Sequence, residues 1–186
     1  MLQKYPVFDI INSGYFYFTL LTERKKTMKI TVICVGKLKE KYLKEAVSEY
    51  SKRLHRFCDF SYAEVSDEKI PDNASSSEEA KIKKAEGERI KKHLNGSEYI
   101  ISLCVEGKQI SSEEFAEKIS SVMNFGKSKI SFVIGGSLGL SDDIKAMSDF
   151  KLSFSRMTFP HQLMRVILSE QIYRCFTINS NEKYQN

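Results

Sequence analysis

Two side chains suited to proton and anion chemistry lie four residues apart near the end of the chain, His161 and Arg165. On a helix this spacing places both on one face, and Pro160 fits the first turn because that position does not need an N–H. An imidazole titrates near neutrality and can accept or orient a proton. A guanidinium can hold a phosphate or stabilise a developing anion. The pair therefore indicates acid–base or anion chemistry, and a purely structural pair is the alternative.

A second candidate site is a glycine-rich loop that follows an apolar segment, FVIGGSLGLSDD. The dinucleotide fingerprint G-x-G-x-x-G does not match, because Ile134 stands where its first glycine belongs and no acidic residue follows at the ribose-binding distance. The sequence also lacks the phosphate-binding motif G-K-[ST] and the nucleophile motif G-x-S-x-G. These mismatches exclude the common nicotinamide, nucleoside-triphosphate and serine-hydrolase sites. Close approach of another ligand and a plain tight turn both remain open.

The elements around these residues alternate between short apolar segments and amphipathic helices. Strands are predicted at Lys29–Val35, Phe60–Val65, Tyr99–Val105, Lys129–Ile134 and Lys151–Ser155. Apolar residues at helical spacing fill the intervals between the strands, and serines mark two of the helix starts. The alternation predicts an α/β fold with a mainly parallel sheet flanked by helices.

Ligands of open α/β sheets lie beyond the carboxyl ends of the strands. Three stretches of this sequence follow or end predicted strands: Leu103–Gly107, Gly135–Leu140 and Phe154–Pro160. We therefore expect these stretches to face one another and to form a ligand site.

The composition limits the class of protein. The chain has 186 residues, of which 41% are hydrophobic, and a net charge of +5, which fits one soluble domain and permits a phosphate-rich partner without requiring one. Four scattered cysteines form no CxxC pair and are interpreted as reduced thiols of a cytoplasmic protein. No zinc-ligand spacing occurs, so a metal site is not expected.

Residues 1–27 differ from the rest of the chain. Their apolar segment is too short and interrupted to span a bilayer and lacks the flanks of a secretory signal. We interpret 1–27 as a start-site artefact or a disordered arm, with a membrane-surface or partner-binding segment as the alternative, and 28–186 as a single domain. The lysine-rich helix predicted around residues 78–94 is either a solvated face or a surface for RNA phosphates.

Three segments carry a resemblance to a known family: MKITVICVGKLKEKYL, FVIGGSLGL and LSFSRMTFPHQLMRVILSEQIYR. They resemble the small SPOUT-class, or α/β-knot, methyltransferases that methylate N3 of a pseudouridine in 23S ribosomal RNA, over essentially Met28 to Tyr184. The resemblance implies S-adenosylmethionine as cofactor and a trefoil knot near the C-terminus, an exception to ordinary chain topology. It also implies a homodimer that acts on the assembled ribosome in the cytoplasm, without a membrane or a metal.

The same resemblance implies the residues of the site. The cofactor-binding residues would be Leu103, Gly135, Phe154, Ser155, Arg156, Met157, Thr158 and Phe159, whose apolar members suit an adenine ring. The catalytic candidates would be His161, Arg165 and Tyr184. Gln185 and Asn186 stand where the family has a histidine and a basic residue, so His161 and Arg165 are expected to carry more of the RNA contact and proton handling.

Two other functions are compatible with the same residues. One is a SPOUT methyltransferase that acts on tRNA or on a different ribosomal RNA site. The other is a non-catalytic RNA-binding or ribosome-assembly factor that retains the fold. Binding of S-adenosylmethionine separates the enzymes from the assembly factor.

Overall fold

The structure is a computed structural model that describes residues 28–182, so the expectations for residues 1–27 and for the last four residues lie outside it. Strands and helices alternate through the described range. Their bounds are β1 Lys29–Val35, α1 Lys41–Leu54, β2 Asp59–Val65, α2 Ser76–Lys91, β3 Tyr99–Gln109, α3 Ser112–Asn124, β4 Lys129–Ile134, α4 Asp142–Met147, β5 Phe150–Ser153 and α5 His161–Asn179. Among these residues no helix combines the length and apolarity needed to cross a bilayer.

The strands form one five-stranded sheet in the order β2-β1-β4-β3-β5. Every neighbouring pair is parallel, as expected for strands that are connected by helices and covered on both faces. The central pair is in register, with Ile30 opposite Ile130 and Val32 opposite Phe132. The prediction of a mainly parallel sheet flanked by helices is confirmed, and the trefoil knot stays a prediction.

The two faces of the sheet build two separate cores because side chains alternate along each strand. On one face, Ile30 and Val32 of β1 belong to a large cluster with buried residues of α1, α3 and α5, such as Leu168. On the other face, Ile33 and Val35 belong to a smaller cluster with residues such as Ile90 of α2 and Ile144 of α4. The sheet is thus the middle layer of a three-layer sandwich.

Local sequence signals set the starts of the helices that flank the site. The Ser111 hydroxyl accepts a hydrogen bond from the Glu114 amide, and the Glu114 carboxylate accepts one from the Ser111 amide, which completes the predicted capping box. The Ser141 hydroxyl accepts a hydrogen bond from the Ile144 amide at the start of α4. Pro160 directly precedes α5 as its N-cap, one position earlier than expected.

Two strand ends differ from the sequence prediction. Strand β3 runs to Gln109 instead of Val105, with a register shift against β5 between Leu103 and Lys108. Strand β5 ends at Ser153, because the chain then turns, and the hydroxyl of Ser153 donates to the Ser155 carbonyl at 2.9 Å. Both irregularities lie at the carboxyl edge of the sheet, where they shape the candidate site.

Candidate functional site

A cleft of about 700 Å³ lies at the carboxyl ends of β3, β4 and β5. Its walls come from the end of β3, from the glycine loop after β4 and from the chain between β5 and α5. These are the three stretches that the sequence predicted to face one another. The volume falls in the range of small-molecule sites, which is roughly 300–1,000 Å³.

The glycines after β4 are needed by the loop itself. A Cβ atom on Gly135 would lie 2.6 Å from the carbonyl carbon of Gly139, and the Gly139 amide donates to the Gly136 carbonyl at 3.0 Å. A Cβ on Gly136 would lie 3.0 Å from the Val35 side chain and 3.1 Å from the Glu86 carboxylate. The sequence left two reasons open for these glycines, close approach of a ligand and a tight turn. The structure shows that the turn requires them, since the loop folds back on itself and packs on its neighbours; their contact with a ligand stays a prediction.

The loop between β5 and α5 contributes most of the predicted cofactor residues. Phe154, Ser155, Met157, Thr158 and Phe159 line the cleft together with Leu103 and Gly135, whereas Arg156 is exposed and is not part of the lining. The Met157 amide donates to the Ser155 hydroxyl at 3.0 Å, which forms a tight turn at the mouth. Met157 is 71% exposed. An exposed apolar side chain beside a cleft is available to cover a flat ring.

Three charged side chains also line the cleft, and we call them the charged rim: Lys83 of α2, Glu106 of β3 and Lys145 of α4. The ammonium of Lys145 lies 2.8 Å from a carboxylate oxygen of Glu106 and 3.3 Å from Asp142. The hydrogen bond to Lys145 lowers the pKa of Glu106, and the hydrogen bond to Glu106 raises the pKa of Lys145. The sequence prediction missed this rim because its members lie on three different elements.

His161 is the first residue of α5 and lines the cleft. The pKa of its imidazole is lowered, first by desolvation on burial and then by the positive charge of Arg165, while Asp67 opposes the shift. The lowered pKa keeps the ring neutral at physiological pH. A neutral imidazole can accept a proton from a group in the cleft.

Arg165 does not line the cleft. It is only 1% exposed, and its guanidinium bonds to the Glu64 carboxylate at 2.7 Å and to the carbonyls of Val35 and Gly36 at 2.9 and 2.7 Å. The i, i+4 spacing with His161 gave no information on depth. Direct contact of Arg165 with an RNA phosphate, which the sequence allowed, is not compatible with this burial. The arginine instead ties the start of α5 to the end of β1.

The remaining predictions for the site are limited by the described range. Tyr184, the third catalytic candidate, and the unusual residues Gln185 and Asn186 lie outside it. Within residues 28–182, no group of three or more potential metal ligands comes together. All four cysteines are unpaired, and Cys104 lines the cleft.

The fold and the cleft together define a class. An open parallel sheet with a mostly apolar pocket at its carboxyl edge, lined by loop backbone and a few polar groups, is the usual form of an α/β protein that binds a nucleoside or nucleotide.

Comparison with known families names the class more closely. A family model described as "Predicted SPOUT methyltransferase" matches residues 28–185. The chain therefore belongs to the SPOUT methyltransferase family.

The curated relatives are similar over nearly their whole length. The chain is 58% identical over 157 residues to ribosomal RNA large subunit methyltransferase H of Clostridium novyi (strain NT) and 56% identical over 157 residues to the protein of the same name from Bifidobacterium adolescentis (strain ATCC 15703). Each match covers 84% of this chain and 99% of the relative.

A solved structure of a probable methylase family protein from Haemophilus influenzae Rd KW20 is more distant. It is 14% identical, with a TM-score of 0.47, and the match covers 86% of this chain and 70% of that one.

Proposed function

We propose that this protein transfers a methyl group from S-adenosylmethionine to ribosomal RNA of the large subunit. The observation that carries the proposal is the 56–58% identity, over 99% of their length, to relatives named ribosomal RNA large subunit methyltransferase H. The cleft supports the same function, because it lies at the carboxyl ends of parallel strands and has the volume of a small-molecule site.

The residues of the cleft fit an adenosyl group. Leu103, Met157 and Phe159 offer apolar walls for an adenine ring, and the backbone of the two loops offers donors and acceptors for its edge. Gly135 contributes by allowing the loop to close, as its tight approach to Gly139 shows. When bound, S-adenosylmethionine supplies an electrophilic methyl group on a sulfonium. Orientation by these walls is expected to provide most of the acceleration.

We assign distinct roles to the three catalytic candidates. His161 lines the cleft as a neutral imidazole and accepts or orients the proton that leaves the acceptor nitrogen. Arg165 acts as a positioning residue, since its hydrogen bonds to the Glu64 carboxylate and to the carbonyls of Val35 and Gly36 fix the start of α5. Tyr184 contacts the acceptor base, a role that comes from the family resemblance alone.

The acceptor we propose is N3 of a pseudouridine in 23S ribosomal RNA within the assembled ribosome, and the working form is a homodimer. The resemblance of the segments quoted above supports the acceptor. The same resemblance supports the dimer, which sedimentation of the purified protein will measure. We also retain 28–186 as one domain and the cytoplasm as the site of action.

Transfer of isotope-labelled methyl groups tests this function. We expect incorporation into intact ribosomes lacking the modification to exceed incorporation into naked ribosomal RNA or tRNA. Dominant transfer to tRNA would replace the acceptor with the first alternative. If no RNA is methylated and calorimetry shows no binding of S-adenosylmethionine or S-adenosylhomocysteine, the non-catalytic assembly factor is favoured instead.

A further inference from the structure

The charges in the cleft are unevenly distributed. The residues that line it are mostly apolar, glycine or hydroxyl-bearing, and His161 is neutral at physiological pH. Among residues 28–182, the formal charges in the lining belong to the charged rim alone, which is one carboxylate and two ammonium groups on α2, β3 and α4. A charged group of a ligand in this cleft would therefore pair with a member of the charged rim.

Lys83 is the unpaired member of the rim. It is half-buried against the cleft, and none of the ion pairs within residues 28–182 includes it. Its neighbours on the same helix differ, since Arg89 pairs with Glu68 and Lys91 pairs with Glu88. A half-buried ammonium with no carboxylate partner is suited to bind an anionic group of a ligand.

Glu106 is the acceptor of the rim. The side chain of Glu106 is 56% exposed and that of Lys145 is 24% exposed, and the contact between them is 2.8 Å. Lys145 is also bonded to Asp142 one turn earlier on α4, so the lysine is held from two sides. The lowered pKa of Glu106 keeps its carboxylate ionised. A fixed, ionised carboxylate is suited to accept hydrogen bonds from a ligand ammonium.

We propose that the charged rim binds the amino-acid end of S-adenosylmethionine, with Glu106 accepting from its α-ammonium and Lys83 donating to its α-carboxylate. Lys145 is a positioning residue that orients Glu106. This inference rests on the proposed function, because it assumes that the adenosyl group occupies the apolar part of the same cleft. The ligand end carries one cation and one anion. Lys83 offers an ammonium that no ion pair within residues 28–182 includes, and Glu106 offers its second carboxylate oxygen, because the first is bonded to Lys145.

The rim then determines which adenosine derivatives bind. 5′-Methylthioadenosine has the adenosine and the sulfur but lacks the amino-acid end, so it cannot use the rim. Loss of one charge-assisted hydrogen bond weakens binding by about tenfold. The variants Glu106→Gln and Lys83→Met should therefore each weaken the binding of S-adenosylmethionine and S-adenosylhomocysteine by about tenfold. Their affinity for 5′-methylthioadenosine should equal that of the wild-type protein.

Isothermal titration calorimetry of the full chain with these three compounds is the test, and thermal unfolding of each variant checks its fold. Matched controls are Glu117→Gln on α3 and Lys52→Met on α1, both exposed and on helices that pack on the opposite face of the sheet; they should change no affinity. Lys145→Met should weaken the binding of the two ligands that carry an ammonium. Lys145→Arg should bind them nearly as well as the wild-type protein does, because it keeps a donor to Glu106.

The outcomes separate the rim from the wider function. If the wild-type protein binds S-adenosylmethionine and the rim variants bind it equally well, the rim inference is wrong and the proposed function stands. An equal loss for 5′-methylthioadenosine also overturns it, because Glu106 would then contact the ribose or support the pocket. If the wild-type protein binds none of the three compounds, the proposed function itself fails.

Discussion

Replacement of Arg165 by methionine is expected to destabilise the fold by about 3 kcal/mol, because it leaves three acceptors without their donor. Two are the carbonyls of Val35 and Gly36, and each unsatisfied buried group costs about 1–3 kcal/mol. The third is the Glu64 carboxylate, which keeps a hydrogen bond from the Leu38 amide and whose side chain is 38% exposed. Water can therefore stabilise part of the Glu64 charge. The total loss of folding free energy is then at the lower end of the roughly 3–5 kcal/mol seen when a buried ion pair is broken.

Urea denaturation of the purified protein measures this loss, and thermal unfolding should show a melting temperature lower by about 6–12 °C. Arg56→Met is the matched control, since that arginine is exposed and pairs with Glu182 at the surface; it should change stability by less than about 1 kcal/mol. A double-mutant cycle with Glu64→Gln should give a coupling of about 1–3 kcal/mol.

The functional arm of the same experiment separates positioning from direct RNA contact. Arg165→Lys keeps a charge near Glu64 but loses the guanidinium fork, so we expect partial stability and nearly normal cofactor binding. If Arg165→Met leaves stability unchanged and lowers only the affinity for RNA, the arginine contacts RNA directly and our reasoning from its burial is refuted.

Three further predictions follow from the cleft and its neighbours. Single-turnover methylation should lose rate as pH falls through the lowered pKa of His161, below the ordinary value of 6.5, and an acid limb unchanged in His161→Gln would remove that residue from proton transfer. Gly135→Ala should cost roughly 1–3 kcal/mol of stability and weaken cofactor binding because its Cβ meets Gly139. Gly126→Ala, at φ +80 with open space around it, should cost about 1–2 kcal/mol and leave binding intact; equal effects on binding would contradict the loop account. Burial raises the folded-state pKa of Glu86 above 4.5, so its contribution to stability falls as pH rises from there through the raised value. The free energy of unfolding of Glu86→Gln, measured by denaturation across that pH range, should show no such fall. If it depends on pH as steeply as that of the wild-type protein, the burial of Glu86 has no energetic effect.

The parallel sheet could be predicted because its signal is local. The strands are short β-branched segments with buried faces, such as Lys29–Val35 and Lys129–Ile134, whose bounds agree with the structure. The strand ends at the cleft were harder. The extension of β3 to Gln109 depends on its pairing with β5 across a register shift, and no local pattern records a pairing between distant segments.

The site could be predicted in outline and not in its charges. Chain order and the geometry of parallel sheets place the three loops together, but the partners of individual side chains depend on packing between distant elements. Arg165 is bonded to residues about 100 and 130 positions earlier. Glu106 and Lys145 are 39 positions apart. Sequence spacing alone does not show that one arginine is buried or that these two residues meet beside a cleft.

Mass mapping of nucleosides in large-subunit ribosomal RNA, in cells with and without this protein, tests whether the protein methylates that RNA. We expect one methylated pseudouridine to disappear when the protein is removed. It should return when the wild-type chain is restored, but not when a cofactor-binding variant is supplied. An unchanged set of methylated nucleosides in the cells without the protein would contradict the proposed methyltransferase function.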